Sequence, residues 1–163
     1  MNIIAIDPGT LESAYVILEK GKITAHFKRP NHHIESALGN LAKNYQLIIE
    51  EVQSYGMPVG KDVFETVYWS GRFAKAYDDV CNMGMCAIRL PRRDVKLHLC
   101  GMARAKDSNI ITALIDRFDP HRRYGKYGKG TKKKPGPLWG FSSDEWQALA
   151  LAVTYYDKIS SAG

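Results

Sequence analysis

Three acidic residues stand where carboxylates can work on a phosphate ester. Asp7 closes the apolar run Ile3-Ile4-Ala5-Ile6, Glu50 closes Leu47-Ile48-Ile49, and Asp144 falls in the first turn of a helical pattern that begins at Ser142. Hydrolysis of a phosphodiester needs a water made nucleophilic and a leaving oxygen whose charge is neutralised, and a pair of divalent ions does both. Magnesium prefers oxygen ligands and keeps several waters, so a few carboxylates reaching in from different elements suffice to hold it. Each acid also has a plainer role. Asp7-Pro8-Gly9-Thr10 suits an ordinary turn, Glu50-Glu51 a solvated strand end, and Asp144-Glu145 the positive end of a helix dipole. Their order and their common setting at the ends of elements argue for a joint role.

The elements that must position them follow from periodicity. Ile3 to Ile6 is a buried strand stopped by a turn; Ala14 to Leu18 and Ile23 to Lys28 are two more, joined by a hairpin at residues 19–22. Ile34, Leu38, Leu41 and Ala42 recur at helical spacing up to Tyr45, and Leu47 to Ile49 is then a central strand. A Gly- and Pro-bearing loop over residues 55–60 precedes a long helix whose apolar face runs from Val63 to Ala74. Met85 to Leu90 is a further short strand, Asp94 to Leu99 and Ser108 to Phe118 are helices, and the last helix runs from Ser142 to Tyr156 with capping-box spacing between Ser142 and Glu145. Three antiparallel strands followed by alternating helices and strands predict an α/β fold, a mixed five-stranded sheet with helices on both faces.

At 163 residues, of which 45% are hydrophobic, one core is expected and hence one domain over residues 1–163. The net charge of +6 favours a polyanionic partner. Cys81, Cys86 and Cys100 are odd in number and lack paired spacing, which points to a reduced chain rather than to a zinc site. The opening residues do not form a signal peptide and no apolar run is long enough for a membrane helix, so a cytoplasmic location and no membrane association are expected. Arg122, Arg123, Lys126, Lys129, Lys132, Lys133 and Lys134 crowd a Gly- and Pro-containing stretch, a mobile basic loop over about residues 121–138, interleaved with Tyr124 and Tyr127. Such a loop can order against phosphates and stack on bases, or serve only solubility.

Ile4-Ala5-Ile6-Asp7-Pro8-Gly9-Thr10 resembles the opening strand of the RuvC Holliday-junction resolvases. Ile49-Glu50-Glu51-Val52 is similar to that family's second acidic motif, and the stretch from Asp144 to Thr154 to its final helix. Arg93-Asp94-Val95-Lys96 and Ala105-Lys106-Asp107-Ser108 fit weaker blocks between them, and the segment from Tyr55 to Arg72 resembles small RuvC-like proteins of bacteriophages. The resemblance implies an RNase H-like fold, two Mg2+ ions for which Mn2+ substitutes, a homodimer, and resolution of Holliday junctions or other branched DNA by paired nicks in a bacterial or phage-infected cytoplasm. It also implies catalytic and metal-binding roles for Asp7, Glu50 and Asp144, and phosphate contact by Lys106.

Two departures stand out. The family's last acid, one helical turn after Asp144, falls on Gln147, so either Gln147 offers its amide oxygen, or Glu145 serves as a fourth metal ligand, or three acids suffice. Gln53 occupies the place of an aromatic wedge, for which Tyr55 is the nearest substitute. The alternatives are an RNase H-fold nuclease acting on forks, flaps or RNA–DNA hybrids, and a branched-DNA-binding protein with weakened catalysis. Asp-x-Gly-Thr also opens the phosphate loop of actin-like ATPases, but 163 residues leave no room for the second domain that those need.

Overall fold

The computed structural model describes residues 1–54, 56, 58–81 and 86–161. Five strands form one sheet: β1 (Asn2–Asp7), β2 (Glu12–Glu19), β3 (Lys22–Pro30), β4 (Gln46–Glu51) and β5 (Ile88–Pro91), in the order β3-β2-β1-β4-β5. β1, β2 and β3 pair antiparallel, whereas β4 runs parallel to β1 and β5 parallel to β4. Five helices accompany them: α1 (Asn31–Leu41), α2 (Lys61–Asp78), α3 (Arg92–Cys100), α4 (Asp107–Phe118) and α5 (Ser143–Ser160).

Side chains alternate across a strand, and the two faces of this sheet are both apolar. Ile3, Ala5, Ala14, Val16 and Ile48 face a layer made by α3, α4 and α5, to which Val95, Ile110, Leu114, Trp146, Leu149 and Val153 contribute. Ile4, Ile6, Leu47 and Ile49 face α1 and α2 through Ile34, Leu38, Phe73 and Tyr77. Burial on both faces explains why β1 and β4 are continuous apolar runs rather than alternating ones. α5 is apolar almost all round because it lies over β1, β2 and β4 with α3 and α4 beside it.

Boundaries differ from the sequence expectation in α1, in α3, in β5, which starts at Ile88, and in α5, which runs on to Ser160. α1 begins at Asn31, earlier than Ile34, because Asn31 is a buried tie rather than a loop residue: it accepts from Ser13 Oγ at 2.6 Å and donates to the Gly9 carbonyl at 3.0 Å. It ends at Leu41, and Tyr45 lies beyond it with its hydroxyl on Glu19. α3 starts at Arg92, directly after the strand-ending Pro91. Of the expected loop and strand ends, Tyr55, Met57 and Met85 lie outside the described residues.

Candidate active site

Parallel pairing of β1 with β4 sets Ile6 beside Ile49, so the chain leaves the two central strands side by side at Asp7 and Glu50. Alternation assigns their faces. Asp7 follows the parity of Ile3 and Ala5, and Glu50 that of Ile48, so both belong to the face covered by α5, whereas Glu51 has the parity of Leu47 and Ile49 and belongs to the other. Asp7 and Glu50 come within hydrogen-bonding reach of one another. Burial, together with the Glu50 charge, pushes the Asp7 carboxyl up to about 8, and the more distant Asp144 adds to the rise while Arg92 opposes it.

Asp144 and Glu145 open α5, and β3 meets both. His26 and Lys28 alternate with outward residues on β3 and take the two acids in turn: His26 Nδ1 lies 2.7 Å from Glu145 Oε1, and Lys28 Nζ donates to Asp144 Oδ2 at 2.5 Å. Glu145 is buried, and its other oxygen accepts from the Ser142 N–H at 2.8 Å, as the capping-box spacing predicts. Burial works to raise the Glu145 pKa, but the hydrogen bonds from Ser142 and His26 outweigh it and hold it below the usual carboxylate range. The Lys28 hydrogen bond likewise holds Asp144 low. Glu145 is thus committed to closing the helix end, and Gln147 lies one turn on from Asp144, partly buried.

Arg92 supplies the remaining positive charge. Its Nη1 stands 3.4 and 3.5 Å from the two Glu50 oxygens, and its Nη2 donates to Asp107 Oδ2 at 2.9 Å. The guanidinium therefore joins the end of β4 to the first turn of α4. Among the described residues no three potential metal ligands are drawn into one cluster: Asp7 and Glu50 are together, and Asp144 is turned to Lys28. The donor set nevertheless suits a hard divalent cation. Burial and, after it, the Glu50 charge raise the Asp7 carboxyl, and a cation between the two carboxylates would relieve that part of the rise which comes from their repulsion.

Basic side chains gather in a hollow beside Arg92 and in the segment before α5. Arg92, Arg93, Lys96, Ala103 and Arg104 line a hollow of about 480 Å³ between α3 and the start of α4. Lys106 is exposed at the N-terminus of α4, where the helix dipole also favours an anion. Arg122, Arg123, Lys126, Lys132, Lys133 and Lys134 are exposed. Arg122 pairs with Asp116, Lys126 lies over the Tyr127 ring, and the Lys129 ammonium donates to the Phe141 carbonyl at 2.6 Å. The segment carrying these cations is anchored by buried Leu138 and Phe141 and by backbone bonds from Gly130 to Tyr124, Gly136 to Lys129 and Leu138 to Gly128. Asp119 accepts from the N–H groups of Arg123 and Tyr124 at 2.8 and 3.0 Å.

The sequence reading misses Lys28, His26, Arg92 and Arg104 as neighbours of the acids. One signal was available for the first two, since polar residues at His26 and Lys28 share the inward parity of a strand whose neighbour is apolar on that face.

No protein-family profile and no curated protein sequence matches this chain. Solved structures do. The structure described as Thermus thermophilus RuvC superimposes with a TM-score of 0.67 at 16% identity, over 98% of this chain and 97% of that one. T. thermophilus RuvC in complex with a Holliday junction substrate superimposes with a TM-score of 0.68 at 17% identity, over 98% and 96% of the two chains. With its sheet order, its antiparallel opening strands and helices on both faces, this chain folds as RuvC folds, an RNase H-like architecture, over nearly its whole length.

Proposed function

We propose that the protein is a Mg2+-dependent endonuclease that nicks branched DNA, with Holliday junctions as its preferred substrate. The observation that carries the reading is the pairing of Asp7 with Glu50 at adjacent strand ends, on the face where α5 presents Asp144, in a fold shared with a junction-bound protein.

Asp7, Glu50 and Asp144 would hold the metal, with Mn2+ able to replace Mg2+. Bound metal supplies a water acidified toward hydroxide and positive charge for the departing 3′ oxygen, the chemistry of a cut that leaves a 5′ phosphate. The chain's own groups prepare that position. Arg92 orients Glu50 by gripping Asp107 at the same time. Glu145, bonded to His26 and to the Ser142 N–H, fixes the start of α5 and with it the backbone that carries Asp144. Three acids then suffice, with Glu145 as the support of that set rather than its fourth ligand.

DNA would cross the basic surface beside these acids. Lys106 and the hollow lined by Arg92, Arg93, Lys96 and Arg104 would offer phosphate contacts, as would Arg122, Arg123, Lys126, Lys132, Lys133 and Lys134 in the segment before α5. Tyr55, which lies outside the described residues, remains the candidate for a stacking contact. Paired nicks need two sites, and α2 offers a surface for a homodimer: Val63, Phe64, Val67 and Tyr68 stand on one side of it with Phe64 66% exposed. Phe73, on the same helix, is fully buried and belongs to the core.

The test is cleavage of a synthetic four-way junction in Mg2+, run beside a fork, an RNA–DNA hybrid and linear duplex, with light scattering to give the oligomeric state. The junction is expected to be cut best, by a dimer. Asp7→Asn and Glu50→Gln abolish cutting while junction binding survives, and Glu145→Gln keeps most of the activity. Preferential cutting of the hybrid, or junction binding without any cutting, would overturn the reading.

A further inference from the structure

The register of the sheet sets Asp7 opposite Ala14 and Ala14 opposite Lys28, a row across three adjacent strands whose residues share the face covered by α5. Ala14, in the middle, is fully buried and ends at its Cβ, so the row has no bulky side chain between the acid and the lysine. The Lys28 ammonium ends 2.5 Å from Asp144 Oδ2, and the other Asp144 oxygen accepts from Ser143 Oγ at 3.1 Å. Both side chains of the ion pair keep about two-fifths of their surface in solvent, 43% for Lys28 and 40% for Asp144. An ion pair this exposed is weak and opens readily. Arg92 differs: it is less exposed, at 32%, and a second bond to Asp107 holds it in place beside Glu50.

An ammonium and a divalent cation need the same carboxylate lone pairs, and an ammonium freed beside DNA finds phosphate oxygens. We infer that Lys28 is a tethered competitor for the divalent cation at Asp144, handed over to a DNA phosphate when cation and DNA arrive together, so that the two bind cooperatively. The inference rests on the nuclease reading above, since it takes Asp144 as a ligand. By linkage, whatever DNA gains from the cation the cation gains from DNA. Without DNA the competitor keeps the cation loosely held; with DNA it becomes one more phosphate contact. Lys28 is in this sense a positioning residue, acting through Asp144.

Mn2+ binding to the full chain, followed by the paramagnetic resonance of free Mn2+, tests the first half. Lys28→Met is expected to bind Mn2+ about three- to fivefold more tightly than the parent chain, the scale of an exposed ion pair removed. Lys28→Arg, which restores a competing cation, is expected to return close to the parent affinity, a rescue that a packing role for the methylene stem would not produce. The second half is read by fluorescence anisotropy of a labelled four-way junction, in EDTA and in Ca2+. The parent chain gains more affinity from Ca2+ than Lys28→Met does. Equal or weaker Mn2+ binding by Lys28→Met overturns the inference, and if Asp7→Asn still abolishes cutting the nuclease reading stands without it. Failure of both chains to bind Mn2+ removes both.

Discussion

With Asp7 pushed up to about 8 by burial and by Glu50, the metal-free chain folds around a carboxyl that keeps its proton through neutral pH. The sign of the consequence follows. The unfolded chain releases this proton near the ordinary value of 3.8 and the folded chain only near 8, so between these limits the folded state binds the extra proton. Stability contributed by this group is therefore present at acid pH, falls as pH rises from about 4 to about 8, and levels off above. Thermal unfolding in EDTA at pH 5, 7 and 9 should show Asp7→Asn gaining on the parent chain as pH rises, by several degrees at pH 9, and Mg2+ should stabilise the parent more than the variant. A variant that gains nothing at high pH would mean that Asp7 is not strained. The sequence points to Glu50 over Glu51 only through the resemblance, since a strand apolar on both faces does not tell which acid shares the face of Asp7 until the sheet is assembled. The partners of the acids are not legible there: Lys28 lies 116 positions from Asp144 and Arg92 42 from Glu50, contacts that exist only once the sheet and α5 have assembled.

At the scale of elements, α5 ties the two halves of the site together. Its first turn carries Asp144 and the capping Glu145, and its apolar body lies on β1, β2 and β4. Periodicity and the capping spacing reveal this helix from sequence, the continuous apolar runs reveal β1 and β4, which are buried on both faces, and the hairpin turn between β2 and β3 reveals that pair. The start of α1 is missed because a buried Asn31 bonded to Ser13 and Gly9 looks like a turn residue until its partners are known. The basic segment before α5 shows a second limit. Its charge and glycines are plain in sequence, but the bonds that shape it run between Tyr124, Gly128, Lys129, Gly130 and Gly136, glycine backbones that carry no side-chain signal. A Cβ on Gly136 would stand 2.3 Å from the Gly128 carbonyl oxygen and 2.7 Å from the Tyr124 Cβ. Gly136→Ala is accordingly expected to lower the melting temperature by roughly 4 °C or more and to weaken junction binding, because the turn holding Lys132, Lys133 and Lys134 must rearrange. Parent-like junction affinity in that variant would show that the segment's shape does not matter to DNA.

At the scale of the whole molecule, the proposed function assigns the basic surface to DNA, the acid pair to the reacting phosphate and the exposed side of α2, with Phe64, to a second copy. On that proposal phosphate approaches Asp7, Glu50 and Asp144 in a chain of net charge +6, and intervening divalent cations would offset the local repulsion. The order and type of the elements are legible before any superposition because the apolar runs agree with the elements they form, whereas their ends are set by partners distant in sequence. Diffraction from crystals of the protein grown with Mn2+, recorded for anomalous scattering by the metal, bears most directly on the central claim. Two peaks are predicted among the carboxylates of Asp7, Glu50 and Asp144, with Asp144 turned away from Lys28. No peak beside Asp7 and Glu50 at saturating Mn2+, with Lys28 still on Asp144, would contradict it.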